Sequence, residues 1–101
     1  MSSQRTNIPN SLNEHWMPFS DNKSFKKNPR LITDAKGVYL TNHLGKKMID
    51  ASSGLFCNPL GHGRKEITEA VSKQLDKLDY CQPFNQGFGG SFELATRIAK
   101  K

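Results

Sequence analysis

Between Arg64 and Tyr80, five apolar residues recur at helical spacing: Ile67, Ala70, Val71, Leu75 and Leu78. That pattern is one face of a 3.6-residue period and predicts an amphipathic helix over about 64–79. The other face carries Lys65, Glu69, Lys73, Asp76 and Lys77. The pair Glu69–Lys73 supports the helix at i,i+4, and Lys73–Lys77 mildly opposes it. Such a helix holds its shape mainly by burying the apolar stripe against something else, so the rest of the chain has to supply cover. It offers little. Of 101 residues only 35% are hydrophobic, a low share for a free-standing globule though too patterned for a disordered tail. The length allows one modest domain at most.

Upstream of the helix the pattern is different. Leu31–Thr33, Val38–Leu40 and Lys47–Ile49 are short β-prone runs. Asp34-Ala-Lys-Gly37 and Thr41-Asn-His-Leu-Gly45 have the length and the glycine of hairpin connections. A three-stranded antiparallel meander over about 31–50 is expected, with Val38, Leu40 and Met48 facing inward. Met1–Asn10 reads as a frayed or docked terminus, Ser11–Trp16 as one helical turn stopped by Pro18, and Asp21–Arg30 as a polar, basic segment. A second helix is expected over about 91–101, with Ser91 as N-cap and Glu93 in its first turn. The chain stops at Lys101 without a Gly or Pro stop signal, so this helix is expected to be cut short.

Several function classes are disfavoured. No apolar run reaches the ~18–20 residues of a membrane span, and no basic segment leads into an apolar signal core. Cys57 and Cys81 are far apart and read as free thiols in a reducing cytoplasm. They form no CxxC pair, and His15, His43 and His62 show no ligand spacing, so no metal site is expected. Fifteen Lys and Arg against nine Asp and Glu give a net charge of +6. The positive charges are spread over every segment, which suits solvated surface better than a nucleic-acid stripe. A small basic module contacting nucleic acid or another anionic partner remains the alternative reading. Asn85–Ser91 supplies Gly-x-Gly before a helix, but Phe92 stands where a third glycine belongs and no strand precedes it.

The loops are more informative. Gly54–Gly63 places Leu55, Phe56, Cys57 and Leu60 inside a Gly-rich connection, where polar residues are the norm. Trp16-Met-Pro-Phe19 and Pro83-Phe84 repeat the pattern. Such side chains either pack into a core or line a pocket or subunit interface. Ser52 and Ser53 have no adjacent base, and no carboxylate pair is set apart by its spacing, so no catalytic residue is assigned.

His15-Trp-Met-Pro-Phe19, Pro29-Arg-Leu31, Ala35-Lys-Gly37, Asp50-Ala-Ser-Ser-Gly-Leu55, Gly61-His62 and Glu66-Ile67 through Gln74-Leu75 occur in one order and spacing. Together they resemble the N-terminal portion of class III pyridoxal-phosphate-dependent aminotransferases, in the ω-amino acid–pyruvate (β-alanine–pyruvate) branch. The resemblance runs from about Leu12 to Lys101. It implies part of a fold type I, α/β architecture, with 1–30 as an N-terminal arm and 31–101 as part of the small domain and the start of the link to the large one. It implies a homodimer that moves an amino group from an ω-amino acid or amine to pyruvate. It also implies that Phe19, Leu55, Phe56 and Phe84 help line the substrate pocket, with Cys57 a weaker candidate. Phe56 stands where many members of the branch carry Trp, which widens the pocket. The family's Schiff-base lysine, pyridinium-binding Asp and phosphate cradle lie beyond residue 101. No residue here is therefore assigned to the cofactor, and the chain alone is expected to bind no pyridoxal phosphate and to be inactive.

Overall fold

The computed structural model describes residues 8–101. The expected terminal arm therefore lies outside the described residues over positions 1–7. The chain divides between Arg64 and Lys65 into two compact units.

The first unit is built on an antiparallel sheet of β1 (Ile32–Lys36), β2 (Tyr39–Asn42) and β3 (Lys47–Ile49), in the order β1-β2-β3. This is the expected meander, with its turns shifted. Asp34, Ala35 and Lys36 pair with Thr41, Leu40 and Tyr39, so they belong to β1 rather than to a connection. The turn itself is Gly37-Val38, with Gly37 at φ 58. A left-handed first residue is what a two-residue hairpin needs to match the twist of its strands, and glycine takes it without strain. Val38 is consequently an exposed turn residue and not an inward one. Leu40 and Met48 are register partners across β2 and β3 and share one face. The second turn is organised by a side chain. Asn42 Oδ1 accepts from the N–H groups of Leu44 at 3.0 Å and Lys46 at 2.9 Å, while Gly45 takes φ 78.

Before the sheet lies α1 (Asn22–Lys27), a helix not expected from the polar Asp21–Arg30 segment. Its N-cap is Asp21, whose carboxylate accepts from Ser24 N–H at 3.2 Å, and Lys26 and Lys27 sit favourably in its last turn. Asp21 followed by Ser24 was the available signal, obscured by the shortage of apolar residues. The helical turn expected over Ser11–Trp16 does not form.

The second unit contains α2 (Lys65–Lys77) and α3 (Gly89–Ala99). At the C-terminal end of α2, Gln74 Nε2 donates to the Leu78 carbonyl at 2.8 Å, covering an acceptor the helix leaves open. The N-cap of α3 is Phe88 and not Ser91, whose hydroxyl lies within the first turn and donates to the Phe88 carbonyl at 2.7 Å.

Neither α1 against the sheet nor α2 against α3 forms a packed pair. Among the described residues no hydrophobic side chain in the core sense is buried; Asn22, Pro29 and His43 are the residues shielded from solvent. The apolar face of α2 (Ile67, Val71, Leu75) stays exposed, as do Phe92, Leu94 and Ile98 of α3. Among the described residues, no helix is long and apolar enough to cross a membrane.

Candidate functional site

Among the described residues, the connection from β3 back to the sheet edge holds the longest run of left-handed backbone. Ser53, Gly54, Leu55 and Phe56 have φ values of 52, 60, 56 and 68, four consecutive left-handed residues. The turn is closed by Phe56 N–H donating to the Ser52 carbonyl at 3.1 Å and Asn58 N–H to that of Ser53 at 2.8 Å. L-residues visit this region singly, at a cost of roughly 1–2 kcal/mol each, because Cβ crowds the carbonyl. Only Gly54 escapes that cost, so the other three must be held by their surroundings.

The holding groups are polar. Asp50, at the end of β3, accepts on Oδ1 from Ser52 Oγ at 3.0 Å and from Gly54 N–H at 3.2 Å. Its other oxygen meets His62 Nε2 at 2.8 Å. Asn58 Nδ2 faces His62 Nδ1 at 2.7 Å, so Nδ1 accepts and the ring proton sits on Nε2, pointing to Asp50. The Asp50 side chain is only 5% exposed. The hydrogen bond from His62, followed by that from Gly54, holds its carboxyl well below the ordinary 3.8, at about 2. His62 is anchored in turn by its backbone, which exchanges both hydrogen bonds with Gly37 at 2.8 and 2.9 Å.

The apolar side chains stand outside this polar cluster. Leu55 is 72% and Phe56 84% exposed, and Cys57 is exposed with its thiol donating to the Leu55 carbonyl at 3.5 Å. Phe19 is wholly exposed, also with a left-handed backbone (φ 51). Its loop is held by the buried Asn22, which accepts from Met17 N–H at 2.8 Å and donates to the carbonyls of Met17 and Ser20 at 2.9 and 3.2 Å. Phe19 also borders an open hollow of about 470 Å³ with Phe25 and Arg30. Phe84 belongs to the second unit, is 76% exposed, and precedes Asn85 at φ 57. The structure thus brings Leu55, Phe56 and Cys57 together on one turn and places Phe19 on a separate loop of the same unit. Sequence reasoning placed Asp50 and His62 in motifs that carry the resemblance but assigned a role to neither of them, nor to Asn58. Gly61-His62 was visible, but nothing in the spacing joins it to Asp50.

With this geometry in place, the chain can be compared with known proteins. It is 51% identical over 89 residues to a β-alanine–pyruvate aminotransferase of Pseudomonas aeruginosa, covering 88% of this chain and 20% of that protein. It is 48% identical over 87 residues to an ω-amino acid–pyruvate aminotransferase of Pseudomonas putida, covering 86% and 19%. The chain is homologous to the N-terminal portion of the class III aminotransferases. Among solved structures, an amine transaminase from an uncultivated Pseudomonas species, in its pyridoxal-phosphate-bound form, superposes with a TM-score of 0.78 at 30% identity, over 86% of this chain and 20% of the other. No family profile matches. The chain spans about a fifth of the length of the curated aminotransferases it matches.

Aminotransferases act through pyridoxal phosphate, which supplies an electron sink for the amine's α-carbon and is carried on a lysine. The described residues of this N-terminal portion do not compose such a site. Their lysines are exposed apart from Lys26, which is half-buried with Nζ on the Asn13 carbonyl at 3.2 Å. Asp50, a carboxylate held in its charged form, is committed to His62, Ser52 and Gly54. Among the described residues no group of His, Cys, Asp and Glu is placed to hold a metal ion.

Proposed function

We propose that the chain forms the substrate-facing N-terminal portion of a transaminase that moves an amino group from an ω-amino acid or amine to pyruvate. In this reading Phe19, Leu55, Phe56 and Phe84 provide apolar surface for the non-reacting part of the amine, and Cys57 borders it. That surface excludes water, so binding energy from the remote part of the substrate is available at the reacting centre. Residues 1–30 act as an arm, and 31–101 belong to the small domain and the start of its link to the large one. The working protein is a cytoplasmic homodimer, and its pyridoxal phosphate is held by residues outside these 101; the chain alone is inactive. The observation that carries the proposal is the pair of exposed aromatic side chains, Phe19 and Phe56, displayed from left-handed backbone on loops secured by buried polar groups. Strain of this kind is retained where side chains must be aimed at a ligand.

The test is a chimera in which this chain replaces the matching residues of the Pseudomonas aeruginosa β-alanine–pyruvate aminotransferase. It is expected to transaminate. Phe56→Ala is expected to raise KM for an arylalkyl amine about fivefold or more, consistent with the ~1–3 kcal/mol that an apolar contact is worth, while KM for β-alanine changes little. A chimera that folds but does not transaminate, or a Phe56→Ala variant equally active on both donors, would count against it.

A further inference from the structure

The left-handed turn and the polar cluster beneath it have a relationship that the substrate-pocket reading does not itself require. A run of left-handed L-residues relaxes unless something opposes it, and here one hydrogen bond reaches the run near its start while two more tie Asn58, just beyond its end, back to the same carboxylate. Asp50 Oδ1 takes the N–H of Gly54, the second residue of the turn. Asn58, two residues past Phe56, is tied through its amide to His62 Nδ1. His62 closes the circuit on Asp50 Oδ2 and is fixed to the sheet edge by its two backbone bonds to Gly37. Removing His62 frees the Asn58 side chain and one Asp50 oxygen together, so the turn keeps its own backbone bonds but loses the side-chain link that ties its C-terminal end to Asp50.

We propose that His62, with Asp50 and Asn58, is a positioning residue: it clasps the left-handed turn 53–56 and so sets the direction of Leu55 and Phe56 towards the apolar part of the amine. The clasp needs a group with a donor directed at Asp50 and an acceptor directed at Asn58, which neutral imidazole supplies with one nitrogen each. Glutamine can provide the same pair through its amide nitrogen and oxygen, whereas alanine provides neither. His62 touches neither substrate nor cofactor in this scheme. Its effect passes through the turn, and the part of the scheme that concerns the amine rests on the function proposed above.

The experiment uses the same chimera, with His62→Ala, His62→Gln and Asp50→Asn. Hydrogen exchange is followed by mass spectrometry on peptides covering 53–58 and on peptides elsewhere in the subunit. His62→Ala and Asp50→Asn are expected to accelerate exchange at 53–58 at least tenfold, with other peptides unchanged, and His62→Gln is expected to restore most of the protection. KM for the arylalkyl amine is expected to follow the exchange, rising several-fold in His62→Ala while kcat with β-alanine holds. Unchanged exchange at 53–58, acceleration spread evenly over the subunit, or a glutamine variant no better than alanine overturns the clasp. If exchange responds as expected but the kinetic split is absent, the clasp stands and the substrate reading of the turn fails.

Discussion

Asp50 shows how one carboxylate can organise a loop. Its oxygens collect a hydroxyl, a backbone N–H and an imidazole N–H, all of which favour the charged form. That is why its pKa sits at about 2 rather than 3.8. Because the folded value lies below the unfolded one, the stabilisation is fully present above the unfolded pKa and is lost as pH falls through the folded pKa. The share of 53–58 protection that depends on the Asp50 carboxylate, corrected for intrinsic exchange chemistry, is therefore expected to decline from about pH 4 to about pH 2. The Asp50→Asn variant should show no such decline. A wild-type profile flat across that interval would mean that the carboxylate does not hold the turn. At this scale the sequence shows the residue types but not the partnership, since Asp50 and His62 are separated by a loop whose path no local propensity dictates.

At the scale of elements, the meander was legible because hairpins are local: turn formers, β-prone runs and two glycines specify nearest-neighbour pairing without help from elsewhere. Even so, the first turn lies at Gly37-Val38, later than the composition of Asp34–Lys36 suggested. The period of α2 was legible for the same reason, whereas α1, with few apolar residues, depends on its Asp21 cap. The left-handed turn is the opposite case. Ser-Gly-Leu-Phe has one residue suited to left-handed backbone, and nothing local announces the other three. Gly54→Ala is a direct probe, because the nearest atom to a new Cβ is Asn58 Cβ at 3.9 Å, an ordinary contact. Its cost is thus conformational, about 1–2 kcal/mol, readable in the chimera as a lower urea midpoint at unchanged m-value. A neutral substitution would show that the turn is not left-handed in solution.

At the scale of the molecule, the decisive property is what the chain leaves uncovered. Among the described residues neither unit buries a hydrophobic side chain in a core, although α2 has a continuous apolar face and the site loops carry three phenylalanines. The 101-residue chain alone is expected to bind 1-anilinonaphthalene-8-sulfonate and to melt gradually. A cooperative transition near the ~60–80 kcal/mol usual for a domain of about 100 residues would contradict this. Amino-acid order alone was enough for the meander, the amphipathic helix, the shortage of core-forming residues and the family resemblance, because each depends on neighbours in sequence or on composition. Only the tertiary structure decided that Leu55 and Phe56 stand on left-handed backbone and that Asp50, Asn58 and His62 hold them there. Those contacts join residues up to 12 positions apart through side-chain geometry, and a spacing pattern carries no record of it.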